Sequence, residues 1–174
     1  LRNFTGLVEK NHPQHVVTII NQYFDEMTTA ITANQGLILQ YVGDEIEAVF
    51  GAPIGFDDHP DMAVKAALQM RRRLAALNTR LEQQGFAPLA HGIGIHSGAV
   101  LAGNIGSQER MSYALVGDTV NTASRIEGLT RRYDCDIIIS QTTLNLLTES
   151  YPTTQLAAVK VKGKENELII NKLL

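Results

Sequence analysis

The chain has one cysteine, no tryptophan and five prolines among its 174 residues. A lone Cys135 excludes an internal disulfide and a cysteine zinc cage, so a reducing, cytoplasmic setting is the simplest expectation. Its neighbours Ile137, Ile138 and Ile139 predict a buried, inert thiol. Long hydrophobic runs are lacking too: such apolar triplets fall far short of the ~20 residues of a membrane helix. No basic stretch followed by an apolar one marks a secretory signal, and a start at Leu1 rather than Met reads as a piece of a longer protein. Neither sign of charge dominates. Fifteen basic against eighteen acidic residues leave a net charge of −3, which argues against wholesale nucleic-acid binding.

What is present belongs to an ordinary globular chain: 44% hydrophobic residues, 19% charged and a mean hydropathy near zero. No Pro/Gly/Ser linker or fixed-period repeat divides it, so one domain over residues 1–174 is expected, large enough to bury roughly two-thirds of its unfolded surface. Basic residues cluster at Arg71 to Arg73, Arg131 to Arg132 and Lys160 to Lys164; the first two clusters read as solvated faces.

Val16, Ile19, Ile20, Tyr23, Met27, Ala30 and Ile31 recur at helical steps after Pro13, and Gly36 is expected to end that helix as its left-handed residue. Leu37 to Tyr41 and Ile46 to Phe50 predict two strands joined through Gly43-Asp44, a hairpin turn that sets the Asp44 carboxylate at its tip. A second helix is expected over Pro60 to Gln84, ended by Gly85, with Ala63, Ala66, Ala67, Met70, Leu74, Leu77 and Leu81 on its apolar side. Strands are expected over Leu89 to His96, Ala99 to Ala102 and Met111 to Val116. A third helix should follow with Asp118 or Thr119 as its cap. Asp136 to Ser140 predicts a strand, Thr142 to Ser150 a helix, and the tail two strands around Lys162-Gly163-Lys164. Helices separated by hairpins indicate an α+β sandwich with a mainly antiparallel sheet.

Several chemistries are excluded. There is no Walker A sequence and no His-Glu-x-x-His, and the glycines at 92, 94 and 98 do not form a dinucleotide fingerprint. His96 and Ser97 are adjacent on an expected strand and would face opposite ways, which opposes nucleophilic hydrolysis. Three features remain. Asn3-Phe4-Thr5 reads as a short polar turn or an ordinary helix cap. Asp44 is either plain turn chemistry or a hard-cation ligand on a rigid tip. Asn121 and Arg125 share one helical face, either as a solvated pair or as a neutral donor and a cation aimed at one anion.

Tyr41-Val42-Gly43-Asp44, Ala48-Val49-Phe50-Gly51, Gly94-Ile95-His96-Ser97-Gly98, Gly103-Asn104-Ile105-Gly106, the run from Val116 to Arg125 and Lys162-Gly163-Lys164 follow one another in order. With them the sequence closely resembles the catalytic domain of class III nucleotidyl cyclases, the adenylate and guanylate cyclase family, over nearly its whole length. The resemblance implies a ferredoxin-like βαββαβ α+β sandwich with extra C-terminal strands and a helix, working as a homodimer with shared active sites. It implies conversion of ATP, or GTP, to a 3′,5′-cyclic nucleotide and pyrophosphate with two Mg²⁺ or Mn²⁺ ions.

Carried over by motif, Asp44 and the backbone carbonyl of Leu1 are metal ligands, with a further metal aspartate belonging immediately before Leu1. The backbone N–H groups of Asn3, Phe4 and Thr5, together with Lys162, would hold the triphosphate. Asn121 would orient the ribose and Arg125 would stabilise the pentacovalent phosphorus, both lent by the partner chain. Gln40 and Ala114 stand at the base-specifying positions, where adenylate cyclases usually have lysine and aspartate or threonine, and guanylate cyclases glutamate and cysteine. Gln40 can pair with either purine edge and Ala114 with neither, so ATP is favoured on family frequency alone. Ala99 stands where some members carry a phosphate-binding arginine. A catalytically silent dimerisation or sensing module is the alternative to an active enzyme. An upstream regulatory domain is expected, and membrane attachment of the parent protein is left open.

Overall fold

A computed structural model describes residues 1–159 and 167–174. The chain falls into two compact units, one formed by Leu1–Phe50 with Met62–His91 and the other by Gly51–Asp61 with Gly92–Leu174.

In the first unit, a short helix α1 (Phe4–Lys10) precedes α2 (Pro13–Ala33), and a hairpin of β1 (Leu37–Val42) and β2 (Glu45–Val49) follows. The expected face of α2 is buried at Val16, Ile19, Tyr23, Met27, Ala30 and Ile31. Its end differs from expectation at one residue. The left-handed position is Gln35, with φ 61°, and Gly36 comes next. The Gln35 N–H donates to the Thr32 carbonyl and the Gly36 N–H to that of Ile31, which is the two-bond Schellman closure. Glycine is needed at 36 for space, since a Cβ there would lie 2.5 Å from Ile31 Cγ2 and 2.7 Å from the Phe50 ring.

Helix α3 (His59–Gln83) closes at Gly85, φ 81°, as expected. Its Leu74, Leu77 and Leu81 join Ile19, Tyr23, Met27 and Leu89 in the core of this unit. Of the basic cluster expected to be solvated, Arg73 instead donates through Nη1 to Glu26 Oε2 at 2.6 Å, while Arg80 Nη2 reaches Glu26 Oε1 at 2.5 Å. Burial pushes the Glu26 carboxyl up, but the hydrogen bonds and charges of the two arginines outweigh it and hold its pKa below 4.5. A depressed carboxyl contributes stability above its unfolded pKa, and that stability is lost as pH falls through the folded value. Glu26→Gln should therefore lower stability by about 1 kcal/mol or less near neutrality. Melting curves of the two proteins should converge on acidification below about pH 4.

The second unit contains a four-stranded sheet in the order β3 (Ile93–Ile95), β6 (Ile137–Ser140), β8 (Ile170–Leu173), β7 (Thr153–Gln155), with only the β3–β6 pair parallel. A separate hairpin pairs β4 (Leu101–Gly106) with β5 (Met111–Val116), the latter with the bounds expected. Helix α4 (Asp118–Arg132) and the short α5 (Gln141–Leu146) complete it. Cys135 is buried with Ile126, Ile138 and Ile170. The α+β expectation holds, with mostly antiparallel pairing.

Four local expectations are corrected. The strand expected from Leu89 shrinks to Ile93–Ile95, because the Asn78 amide bonds both backbone groups of Leu89, at 2.7 and 2.8 Å, in place of a neighbouring strand. The strand expected from Ala99 starts at Leu101, the Ala99 carbonyl being taken by the Thr119 hydroxyl at 2.8 Å. Gly117, rather than Asp118 or Thr119, caps α4 and does so without a side-chain bond. Helix α5 begins one residue earlier and ends sooner than expected, capped by the Ser140 hydroxyl, which accepts from the Thr143 N–H at 3.1 Å. In the tail, β8 and the antiparallel bridge between Val159 and Leu168 are seen, while Lys162-Gly163-Lys164 lies outside the described residues.

Candidate active site

The first unit carries Asp44, Gln40 and the Asn3-Phe4-Thr5 segment. Gly43-Asp44 is the entire loop between Val42 and Glu45, and Gly43 has φ 62°. A positive φ at the first loop residue suits the primed turns that match sheet twist, and glycine takes it without strain. Asp44 is thereby fixed at the tip, 28% exposed, and its Oδ2 lies 2.9 Å from the Leu1 nitrogen. The Leu1 nitrogen is also 3.4 Å from the Asp44 carbonyl oxygen. The carboxylate thus lies beside the backbone nitrogen of residue 1. Among the described residues, no three His, Cys, Asp or Glu side chains gather as a metal cluster. The Asp44 carboxylate is a hard oxygen donor of the kind that suits a cation which keeps waters and takes phosphate oxygens as further ligands.

Asn3-Phe4-Thr5 is the opening of α1, with Asn3 at φ 55° as its cap. The first bond within this helix runs from the Leu7 N–H to the Asn3 carbonyl, which leaves the N–H groups ahead of it without an intrahelical acceptor. Gln40 is exposed on β1, directly opposite Glu47 on β2, and its Nε2 donates to Glu47 Oε2 at 2.6 Å. Glu47 was not singled out from the sequence. Counting outward from a two-residue turn, Val42 to Glu45, Tyr41 to Ile46, then Gln40 to Glu47, would have found it.

The second unit carries Asn121, Arg125 and Ala114. Helix α4 is seated against β3 at Gly94, where a Cβ would lie 2.3 Å from the Glu127 nitrogen and 2.5 Å from the Ala123 carbonyl oxygen. Only glycine permits that approach, and it fixes the helix one turn after Asn121. Asn121 is exposed and Arg125 half-buried. Arg125 Nη1 stands 3.9 Å from Asp118 Oδ1, beyond hydrogen-bond reach, and is a buried nitrogen with no hydrogen-bond partner among the described residues. An unsatisfied buried donor carries a desolvation cost that an incoming anion would relieve. Ala114 is half-buried on β5 opposite Gly103, where an added Cβ would meet nothing within 4 Å. That position holds open space and no polar side chain. Lys162, the expected terminal-phosphate ligand, lies outside the described residues.

His96 and Ser97 follow the end of β3 and reach one hydroxyl cluster rather than opposite sides. His96 Nδ1 is 2.8 Å from Ser140 Oγ, and Thr143 Oγ1 donates to Ser97 Oγ at 3.1 Å and contacts Ser140 Oγ at 3.0 Å. Ser140 and Thr143 are fully buried, so the cluster braces the start of α5. No helix of the described residues is long and apolar enough to cross a membrane.

The profile of the adenylate and guanylate cyclase catalytic domain family matches residues 1–171. Adenylate cyclase 1 of Rhizobium meliloti (strain 1021) is 31% identical over 172 residues, covering 99% of this chain and 26% of that protein. The adenylate cyclase of Anabaena cylindrica is 36% identical over 177 residues, covering 98% and 34%. The chain therefore spans only about a quarter to a third of these relatives. Among solved structures, the guanylyl cyclase Cya2 superposes with a TM-score of 0.92 at 36% identity, covering 99% of this chain and 87% of that one.

Proposed function

Because the chain belongs to the adenylate and guanylate cyclase catalytic domain family, we propose that residues 1–174 form one catalytic domain. It converts ATP to 3′,5′-cyclic AMP and pyrophosphate at sites shared between two copies. The ribose 3′-hydroxyl attacks the α-phosphorus in line, and the pyrophosphate leaves. Chemistry of this kind needs positioning and charge neutralisation more than covalent participation. The N–H groups of Asn3, Phe4 and Thr5, with Lys162, hold the triphosphate. Asn121 of the second copy orients the ribose, and Arg125 of that copy meets the charge that grows on the phosphorus oxygens. Asp44 and the Leu1 carbonyl would hold Mg²⁺ or Mn²⁺ together with an aspartate directly preceding Leu1. Such ions, when bound, supply the positive charge that lowers the hydroxyl pKa and offsets the phosphates.

The observation that carries this reading is the buried Nη1 of Arg125, which has no hydrogen-bond partner among the described residues, one helical turn from Asn121. A shared site is supported by the β4–β5 hairpin, whose Leu101, Ile105, Met111 and Val116 stand 45–71% exposed and offer an apolar surface to a second copy. A regulatory segment beyond this chain is in keeping with the much greater length of the relatives. GTP is the second reading, favoured by the likeness to a guanylyl cyclase structure at a TM-score of 0.92.

The test is incubation of the protein, with residues upstream of Leu1 included, with Mn²⁺ and either nucleotide. Cyclic AMP formed faster than cyclic GMP is the expected result. The reverse order would transfer the reading to GTP, and absence of both products would leave a silent cyclase-like module.

A further inference from the structure

Gln40 is the sole polar side chain at the two positions assigned to the base, since Ala114 carries only a methyl group. By itself a glutamine amide discriminates poorly. Its terminal torsion has two near-equivalent settings that exchange the donor and the acceptor. Adenine offers a donor at N6 beside an acceptor at N1, whereas guanine offers an acceptor at O6 beside a donor at N1. One amide setting complements the first edge and the rotated setting the second. A free Gln40 would serve both.

Gln40 is not free. Its Nε2 donates to Glu47 Oε2 at 2.6 Å across the β1–β2 ladder. A carboxylate only accepts, so it holds the NH₂ side and repels the carbonyl side. Rotating the amide would set Oε1 against a negatively charged oxygen and forfeit a charge-assisted hydrogen bond. Glu47 consumes one of the two Nε2 hydrogens and leaves the other, together with Oε1, as a fixed donor and acceptor pair. The two residues face each other because the two-residue turn sets the register. That register holds through Gln40 and shifts only beyond it, between Ile38 and Gln40.

Resting on the reading of the chain as a purine nucleotidyl cyclase, we infer that Glu47 is a positioning residue that latches the Gln40 amide in one orientation and so sets base selection. Its loss frees the amide to turn, and the enzyme then accepts both bases.

The test measures dissociation constants for α,β-methylene-ATP and α,β-methylene-GTP by calorimetry with Mg²⁺. The proteins are the unsubstituted one, Glu47→Leu, Gln40→Leu and the double variant, with circular dichroism to confirm folding. The unsubstituted protein should separate the two analogues by about tenfold or more. Glu47→Leu should bring the ratio close to one, mainly by tighter binding of the disfavoured base, and should change nothing further in a Gln40→Leu background. Should the leucine variant fold poorly, Glu47→Gln provides the same test, because a second amide can donate or accept and no longer dictates the setting; the ratio should fall several-fold. An unchanged ratio in a folded Glu47 variant, or an equal shift with and without Gln40, overturns the latch. So does an unsubstituted protein that binds both analogues equally. Cyclic-product assays on the same samples separate the two claims. No product with intact, Glu47-dependent discrimination removes the cyclase reading and keeps the latch; product with an unmoved ratio does the opposite.

Discussion

Arg125→Ala is expected to lower kcat by about a hundred- to a thousandfold while KM for the nucleotide changes little. A contact that strengthens only as charge moves onto the phosphorus oxygens contributes to the transition state and not to ground-state binding. The surroundings of Arg125 suit that role. At 3.9 Å the Asp118 carboxylate is too distant to engage Nη1 in a hydrogen bond, so it steadies the guanidinium without consuming it. The helix that carries Arg125 is clamped on β3 at Gly94, which leaves little freedom to be lost when the anion arrives. Because the buried nitrogen is unsatisfied, its removal should leave the melting temperature unchanged or slightly higher. Arg125→Lys should fall between, since an ammonium keeps the charge but loses the planar fork. Steady-state kinetics, calorimetric melting and size-exclusion chromatography read the three effects. Ordinary turnover by Arg125→Ala would remove the assigned role.

The parts of this protein that were legible in the sequence are those set by local chemistry. Gly43-Asp44 announced a tight turn because few residues accept positive φ, and the Asp44 tip followed from it. The apolar faces of α2 and α3 were readable because a buried stripe repeats at helical steps. Helix α1 was not: it has seven residues and none is buried, so it shows no periodic face. The left-handed residue was expected one position late, at Gly36 rather than Gln35, because both a left-handed residue and a close approach call for glycine, and here it was the approach to Ile31 and Phe50. Arg73 looked like part of a solvated run since its partner Glu26 lies 47 residues away on another helix. In the site, the pattern from Gly117 to Arg125 could be matched to a family but gave no sign that Arg125 Nη1 is buried with no hydrogen-bond partner among the described residues, a fact of packing. Glu47 sits between, findable by register yet invisible to any scan for motifs.

Asp44→Ala should abolish activity to the order of a hundredfold or more, and it should do so without disturbing the hairpin. The turn depends on the φ of Gly43, and Asp44 is not among the residues of positive φ. What the substitution removes is the carboxylate beside Leu1. The stronger result comes from mixing two inactive proteins. If one copy supplies Asp44 and its twin supplies Asn121 and Arg125, a dimer of Asp44→Ala with Arg125→Ala has one site with both defects and one with neither. Random exchange makes half of the dimers mixed, and each mixed dimer has one of its two sites intact, so activity should return to roughly a quarter of that of the unsubstituted protein. The recovery should rise with the time allowed for subunit exchange and with protein concentration, which a trace of contaminating enzyme would not do. Were Asp44 and Arg125 to serve one site within the same copy, every chain in the mixture would carry a defect and no activity would appear. The mixture therefore decides between a shared and a self-contained centre by the presence or absence of product.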